Sequence, residues 1–288
     1  MIGRSLPRLE DAALLTGRGR FTDDMDLAGQ AWVRFVRSPH AHADILDVDD
    51  REALKVPGAV ALLREGLETG PLDNRSPVRR RDGTPLVPPP FPALARERAR
   101  YAGEIVAMAV AETAAAARDM AEAVVVDFRP LPAETETLFE WVRGDAAGVE
   151  ALFAGAAHRV RISLANNRVS AAPLETRGAL AEWDARDGRY TLIAPTQGPG
   201  QVQEALAKAL GAARADVRVI TPDVGGGFGM KNGIFAEQVL LAHAARQLGR
   251  PLKWIDERTE AFLSDYHARD HDTEAELALD AEGRFLAI

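Results

Sequence analysis

The chain has 288 residues, 47% of them hydrophobic and 27% charged, with a formal net charge of -8. That is the balance of a folded globular protein long enough for two cores, and the acidic excess argues against a nucleic-acid surface. No apolar run approaches the ~20 residues of a membrane helix, the opening stretch MIGRSLPRLEDAALL lacks the apolar core of a signal peptide, and a cytoplasmic protein is the expectation. These residues include no cysteine, which excludes from them disulfides, a thiol nucleophile and cysteine-ligated clusters.

Residues 1–20 read as an extended lead-in. QAWVRFVRS, 30–38, alternates as a half-buried strand, with Trp32, Arg34 and Val36 on one face and Val33, Phe35 and Arg37 on the other. REALKVPGAVALL predicts a short helix stopped at Pro57 and Gly58, then a buried strand. The proline-rich stretch 64–99 is expected to be an irregular excursion whose RRRD, 79–82, is a solvated charge run. ARYAGEIVAMAVAET reads as a strand, AAAARDMAEAV as a helix and VVVDFRPLP as a strand closed by prolines. This β-α-β succession predicts an α+β domain over 21–133, followed by an acidic, alanine-rich, partly helical connector over 134–158.

The second domain is expected over 159–288. HRVRISLANNRVSAAPLETRGALAEWD contains two strand-like runs bent at Pro173, and DGRYTLIAPTQ is a strand leaving an Asp-Gly turn. GQVQEALAKALG is an amphipathic helix with Val202, Leu206 and Leu210 on one face and Gly211 as its stop. DVRVI reads as a buried strand, IFAEQVLLAHAARQLG as a helix ending at Gly249, and PLKWIDE as a strand. TEAELALD and RFLAI, joined by AEG, read as a hairpin. RFLAI leaves Phe285, Leu286 and Ile288 with an unpaired, apolar strand edge, so the chain is expected to associate with itself or with a chain carrying further residues of the domain.

Two loops in this half occupy equivalent places, after a strand and before a helix: APTQGPG and PDVGGGFGMKNG. If the strands are parallel, both loops lie at one sheet edge, where α/β folds bind ligands, and the amides that follow favour anionic or electron-rich groups. The second loop is four glycines and a phenylalanine in Gly225 to Gly229, a backbone able to take φ > 0 and to admit close approach at a high entropic cost. It matches neither familiar nucleotide template. A dinucleotide fingerprint starting at Gly225 needs glycine where Met230 stands, and GMKN does not supply a P-loop. On composition alone it remains a tight strand-to-helix turn.

DVGGGFGMK, with PTQGP upstream of it, resembles the molybdopterin-binding domain of the molybdenum hydroxylases, the family of xanthine dehydrogenase, aldehyde oxidase and carbon-monoxide dehydrogenase. FVRSPHAHADILDVD, RYAGEIVAMAVAET, NNRVSAAPLETRGALAEWD and SDYHARDHDTEAELALDAEGRFLA resemble the same family in the same order. The resemblance implies an α+β fold: a hammerhead-type α/β domain followed by the beginning of the molybdopterin-binding α+β domain, the N-terminal part of the large subunit. It implies a molybdopterin cofactor, with or without an appended nucleotide, packed on Gly226, Gly227, Phe228 and Gly229. It further implies that Gln197 hydrogen-bonds an oxo ligand of molybdenum and that Phe228 walls the substrate pocket. Asn232 stands where purine-oxidising members carry a glutamate, so purine hydroxylation is not expected. The family chemistry is hydroxylation of an aldehyde or N-heterocycle carbon with water-derived oxygen. The general-base glutamate lies in the C-terminal half of the large subunit. Iron–sulfur clusters and FAD reside on an iron–sulfur subunit and an FAD subunit, and the small-molecule substrate binds beside molybdenum.

Other polar residues read more plainly. Lys231 is expected to be a salt-bridging surface residue, and Glu175 and Arg177 a structural or pocket-edge pair. His267 and His271, at i, i+4, could flank a divalent ion on a helix, but with no third ligand a hydrogen-bonded structural role is preferred. Two other functions stay open on residues alone: a non-catalytic scaffold or assembly partner of the same fold, and an unrelated α/β enzyme whose glycine loop binds an anion. No Gly-x-Ser-x-Gly elbow supports the latter as a hydrolase.

Overall fold

Capping chemistry sets several of the element boundaries. The computed structural model describes residues 2–70, 72, 82–84, 91–133 and 141–288; the basic triplet 79–81 lies outside them. A short helix α1 (Asp11–Leu14) precedes three strands, β1 (Ala31–Arg37), β2 (Ala43–Asp49) and β3 (Ala59–Leu63). The short helix expected in REALK is a 3-10 turn, Ala53–Lys55, which ends at Val56, just before Pro57. After β4 (Arg98–Ala99) and β5 (Ile105–Ala111), Thr113 starts α2 (Ala114–Ala123) by accepting from the Ala116 amide, and β6 (Val125–Pro130) follows. Asp145 caps α3 (Ala146–Gly155) through the Gly148 amide.

The remaining strands and helices follow in chain order. They are β7 (His158–Asn166), β8 (Gly178–Asp184), β9 (Arg189–Ile193), α4 (Pro199–Leu210), β10 (Val217–Ile220), α5 (Ala236–Leu248), β11 (Leu252–Ile255), α6 (Arg258–Ser264), β12 (His271–Leu279) and β13 (Phe285–Ala287). Proline opens α4 at its first turn, and Gly211 and Gly249, both at φ 63, terminate α4 and α5 in the left-handed conformation that helix stops demand.

Tertiary contacts divide the chain into two units. One comprises residues 1–74, 89–134 and 172–265; the other 75–88, 135–171 and 266–288. The first unit is built on a seven-stranded mixed sheet of order β10-β9-β8-β11-β1-β5-β3, with a three-stranded sheet β4-β2-β6 beside it. β10 runs parallel to β9 and β11 parallel to β1; the other pairs of the large sheet are antiparallel. β5 is buried along its whole length, which is why its sequence, IVAMAVA, shows no alternation. DVRVI, expected to be a buried strand, is instead the sheet's edge, and only Val217 of β10 is buried. The second unit is a sheet β13-β12-β7 with α3, in which β12 and β13 form the expected hairpin.

Against the large sheet lies a largely buried cluster of charges. Arg177, at the entry to β8, donates through Nε to Asp265 (2.6 Å), through Nη1 to Glu237 (2.8 Å) and through Nη2 to the Ser264 hydroxyl (2.7 Å). Its guanidinium lies over Phe235, 4.3 Å from the ring centroid, and 5.3 Å from that of Trp254. Arg37 reaches the other Glu237 oxygen (2.7 Å) and Glu260 (2.5 Å), and Arg34 pairs with Glu260 and Glu257. One carboxylate of α5 is therefore clamped between two arginines. Burial works against the Glu237 charge, but Arg177 and Arg37 overcome it and hold the carboxyl down at about 2. Asp256 goes the other way: burial, and behind it the Glu260 and Glu237 charges, push its carboxyl far above the usual range against Arg177 at 3.5 Å. Burial thus favours a proton on Asp256, whose two carboxyl oxygens have no hydrogen-bond partner among the described residues.

Two outcomes follow from this cluster. Arg177→Met leaves Glu237 and Asp265 buried without their main partner, and should lower the unfolding free energy of the subunit by about 3–5 kcal/mol in a urea titration; a loss below 1 kcal/mol would contradict the arrangement. Because the folded state binds a proton at Asp256 that the unfolded chain releases above the ordinary carboxylate range, this residue lowers stability as pH rises. Asp256→Asn, a neutral stand-in for the protonated acid, should therefore raise the melting temperature relative to wild type more at pH 8 than at pH 5. Equal shifts at both pH values would exclude the retained proton.

Candidate active site

Parallel pairing of β9 and β10, in register from Val217↔Tyr190 to Ile220↔Ile193, sends the chain off the same sheet edge twice. The two loops expected to share an edge do so, and they are stitched together there. The Lys231 carbonyl accepts from the Gln197 amide (2.9 Å) and from the Thr196 hydroxyl (3.1 Å). The Gly229 amide donates to Gln197 Oε1 (2.9 Å). An amide N–H is satisfied only by an oxygen, so this bond fixes which end of the carboxamide is which. Gln197 is exposed, and with Oε1 taken by the Gly229 amide its Nε2 remains as a donor.

The glycine run has a distinct backbone. Gly226 and Gly229 stand at φ 100 and 90, and Phe228 between them at φ 51, a left-handed conformation uncommon for an aromatic residue. Among the described residues, the amides of Gly226, Gly227 and Phe228 have no acceptor. Successive free N–H groups on a backbone of changing handedness are the pattern of an anion-binding nest. Phe228 is 77% exposed, its ring close to Gly226. Asn232 is also exposed, with Oδ1 near Gly198 of the other loop.

Some of the glycines answer to the protein itself. A Cβ on Gly227 would stand 2.5 Å from Gln197 Oε1, and one on Gly225 would stand 2.5 Å from Glu175 Cβ. At Gly229 space is open, and the requirement is φ alone.

Lys231, expected at the surface, is 1% exposed. Its Nζ donates to Glu175 Oε2 (3.0 Å) and to the Glu175 carbonyl (2.8 Å), and burial lowers its affinity for its proton against the pull of that carboxylate. Glu175 and Arg177 do not pair with each other: Glu175 serves the glycine loop and Arg177 the charge cluster against the sheet. The lead-in is also engaged, Asp223 accepting from the Arg20 amide (2.7 Å). His267 accepts from Arg168 (2.8 Å) and His271 meets Asn166 (3.3 Å); neither is on a helix, since His271 opens β12.

The family models match over nearly the whole chain. Residues 16–132 match the aldehyde oxidase and xanthine dehydrogenase a/b hammerhead domain, and residues 130–288 the molybdopterin cofactor-binding domain. The chain belongs to the molybdenum hydroxylase family. It is 34% identical to the nicotine 6-hydroxylase large subunit of Paenarthrobacter nicotinovorans, over 100% of this chain and 37% of that one. Among solved structures, quinoline 2-oxidoreductase from Pseudomonas putida 86 superposes with a TM-score of 0.85 at 34% identity, over 99% of this chain and 38% of that one. Reconstituted CO dehydrogenase from Oligotropha carboxidovorans gives a TM-score of 0.87 at 30% identity, with 99% and 38% covered. The chain thus spans 37–38% of the length of these relatives. No helix among the described residues is long and apolar enough to cross a membrane.

The two crowded glycines should respond differently to alanine. Gly225→Ala meets the Cβ and backbone of Glu175, which cannot easily withdraw, and should cost about 1–3 kcal/mol. Gly227→Ala meets the end of an exposed glutamine, which can swing away, and should cost under about 1 kcal/mol while displacing Gln197. Thermal denaturation of the two variants checks the order; equal losses would contradict it.

Proposed function

We propose that these residues form the N-terminal part of the molybdopterin-binding subunit of an oxidoreductase that hydroxylates an aldehyde or N-heterocycle carbon with water-derived oxygen. The observation that carries this reading is the donor set at the sheet edge: Gln197 Nε2, oriented by the Gly229 amide, beside the free amides of Gly226, Gly227 and Phe228. All are neutral donors. They suit a group that brings its own negative oxygens and metal ligands, and they do not compete to ligate the metal. The pterin-bound molybdenum supplies the two-electron oxidation chemistry when bound.

The chain's own residues bind and orient. Gln197 donates to an oxygen of the bound group, the glycine run lets that group approach the main chain, and Phe228 presents an exposed ring against which a flat substrate stacks. Asn232 offers an uncharged amide near the same loops, which favours substrates that need no carboxylate partner and disfavours purines. The nicotine and quinoline enzymes among the relatives fit this preference. The remaining catalytic groups, including the base, belong to the C-terminal portion of the subunit. The 288 residues hold no cysteine to ligate an iron–sulfur cluster, so the clusters and FAD that would carry electrons away would sit outside them, on an iron–sulfur subunit and an FAD subunit. A cytoplasmic location fits such an assembly.

The test is purification of the full-length subunit with its co-expressed partners, followed by molybdenum and pterin analysis and turnover with an artificial electron acceptor. Near-stoichiometric molybdenum and pterin are expected, with oxidation of N-heterocycles or aldehydes and none of xanthine. Gln197→Ala should keep the cofactor yet lose turnover by about 10²-fold or more, since one preorganised hydrogen bond to a reacting centre contributes roughly 3 kcal/mol. A complex free of molybdenum and pterin would overturn the reading.

A further inference from the structure

We infer that Glu175 and Lys231 form a positioning latch, closing the glycine loop on one carboxylate oxygen and passing that constraint to Gln197. This deepens the reading of the site as a cofactor cradle and rests on it for its functional consequence. The physical basis is one atom with two bonds. Glu175 Oε2 accepts from the Gly225 amide (2.8 Å) at the start of the glycine run and from Lys231 Nζ (3.0 Å) just past its end. The main chain repeats the tie, since the Glu175 amide donates to the Gly225 carbonyl (3.2 Å) and the Glu175 carbonyl accepts from Lys231 Nζ (2.8 Å). Its other carboxylate oxygen faces the Thr22 amide at 3.4 Å.

A run of four glycines in five positions has an unusually large conformational freedom to lose, and nothing in its own side chains restrains it. Fastening both ends to one partly buried carboxylate oxygen removes much of that freedom. From Lys231 the constraint continues to the other loop, because the Lys231 carbonyl receives both the Gln197 amide and the Thr196 hydroxyl, and the Thr196 hydroxyl in turn accepts from Gly198 (3.2 Å). Gln197 therefore inherits its main-chain position from Lys231 and its side-chain orientation from Gly229, both parts of the latched loop. The charge matters because Lys231 is 1% exposed and has no water to fall back on. Neither side chain bonds to Gln197 Nε2; both act through others.

Hydrogen exchange read by mass spectrometry on the full-length subunit within its complex tests this, with Glu175→Gln, Lys231→Met and the double variant. Glu175→Gln should raise exchange of peptides covering 222–233 and 194–199 at least tenfold, with α5 (Ala236–Leu248) unchanged, whether or not the cofactor is bound. Lys231→Met, which leaves no buried cation behind, should do the same at 229–233 and 194–199. In the loaded complex each variant should lower kcat at least tenfold at unchanged KM, and the double variant should be no worse than the worse single one, because both act on one path. Exchange within twofold of wild type in these loops, or a rise shared equally by α5, would overturn the latch. Absence of molybdenum would count against the proposed function instead, and the exchange result would still decide the latch.

Discussion

Two neighbouring parallel strands must release their following loops from the same sheet edge, and the site depends on that constraint. β9 and β10 are the pair that meets it, at the outer margin of a sheet whose other neighbours there run antiparallel. Were β10 reversed, the glycine run and the PTQGP loop would leave from opposite ends, and no Lys231 carbonyl could meet Gln197. α4 supplies the crossover between the two strands, opened by Pro199 and closed by Gly211, so its length and ends are set by short-range chemistry while its result is long-range.

The site separates charge from donation. Among the described residues the principal buried charges near the loops are paired: Lys231 by Glu175, Arg177 by Glu237 and Asp265, Arg37 by Glu237 and Glu260. What the loops leave unpaired is neutral, a carboxamide nitrogen and three amides, beside an exposed aromatic ring. Buried ion pairs are poor sources of net stability, and the use of the Lys231–Glu175 pair is better explained by specificity: it fixes the position of a backbone that glycine would otherwise leave free. The raised carboxyl of Asp256 belongs to the same logic, since burial beside the Glu260 and Glu237 charges disfavours a further negative charge there.

Much of this was legible in the residues, and the rest fails for identifiable reasons. QAWVRFVRS, GQVQEALAKALG and IFAEQVLLAHAARQLG carry strong local periodicity and stop signals, and they fold as read. DVRVI reads as buried and lies at an edge because three apolar positions in a short strand do not distinguish a centre from an edge; only pairing does. Lys231 reads as surface because lysine usually is, and its partner lies 56 residues away in a segment with no regular structure. Glu175 and Arg177 stand two apart in PLETRG and so look like a pair, yet they serve different layers. Gly227 looks like room for a ligand, and the structure shows that Gln197 needs the room first.

The central claim is that the paired loops cradle a pterin-held molybdenum through neutral donors. A high-resolution structure of the full-length subunit, isolated with its partners and cofactor, tests it most directly. The account predicts the metal's oxygen ligands within hydrogen-bonding reach of Gln197 Nε2, with the bound group lying against the amides of Gly226 to Phe228. Molybdenum and pterin bound away from Gln197, with the glycine run facing only solvent or protein, would contradict it.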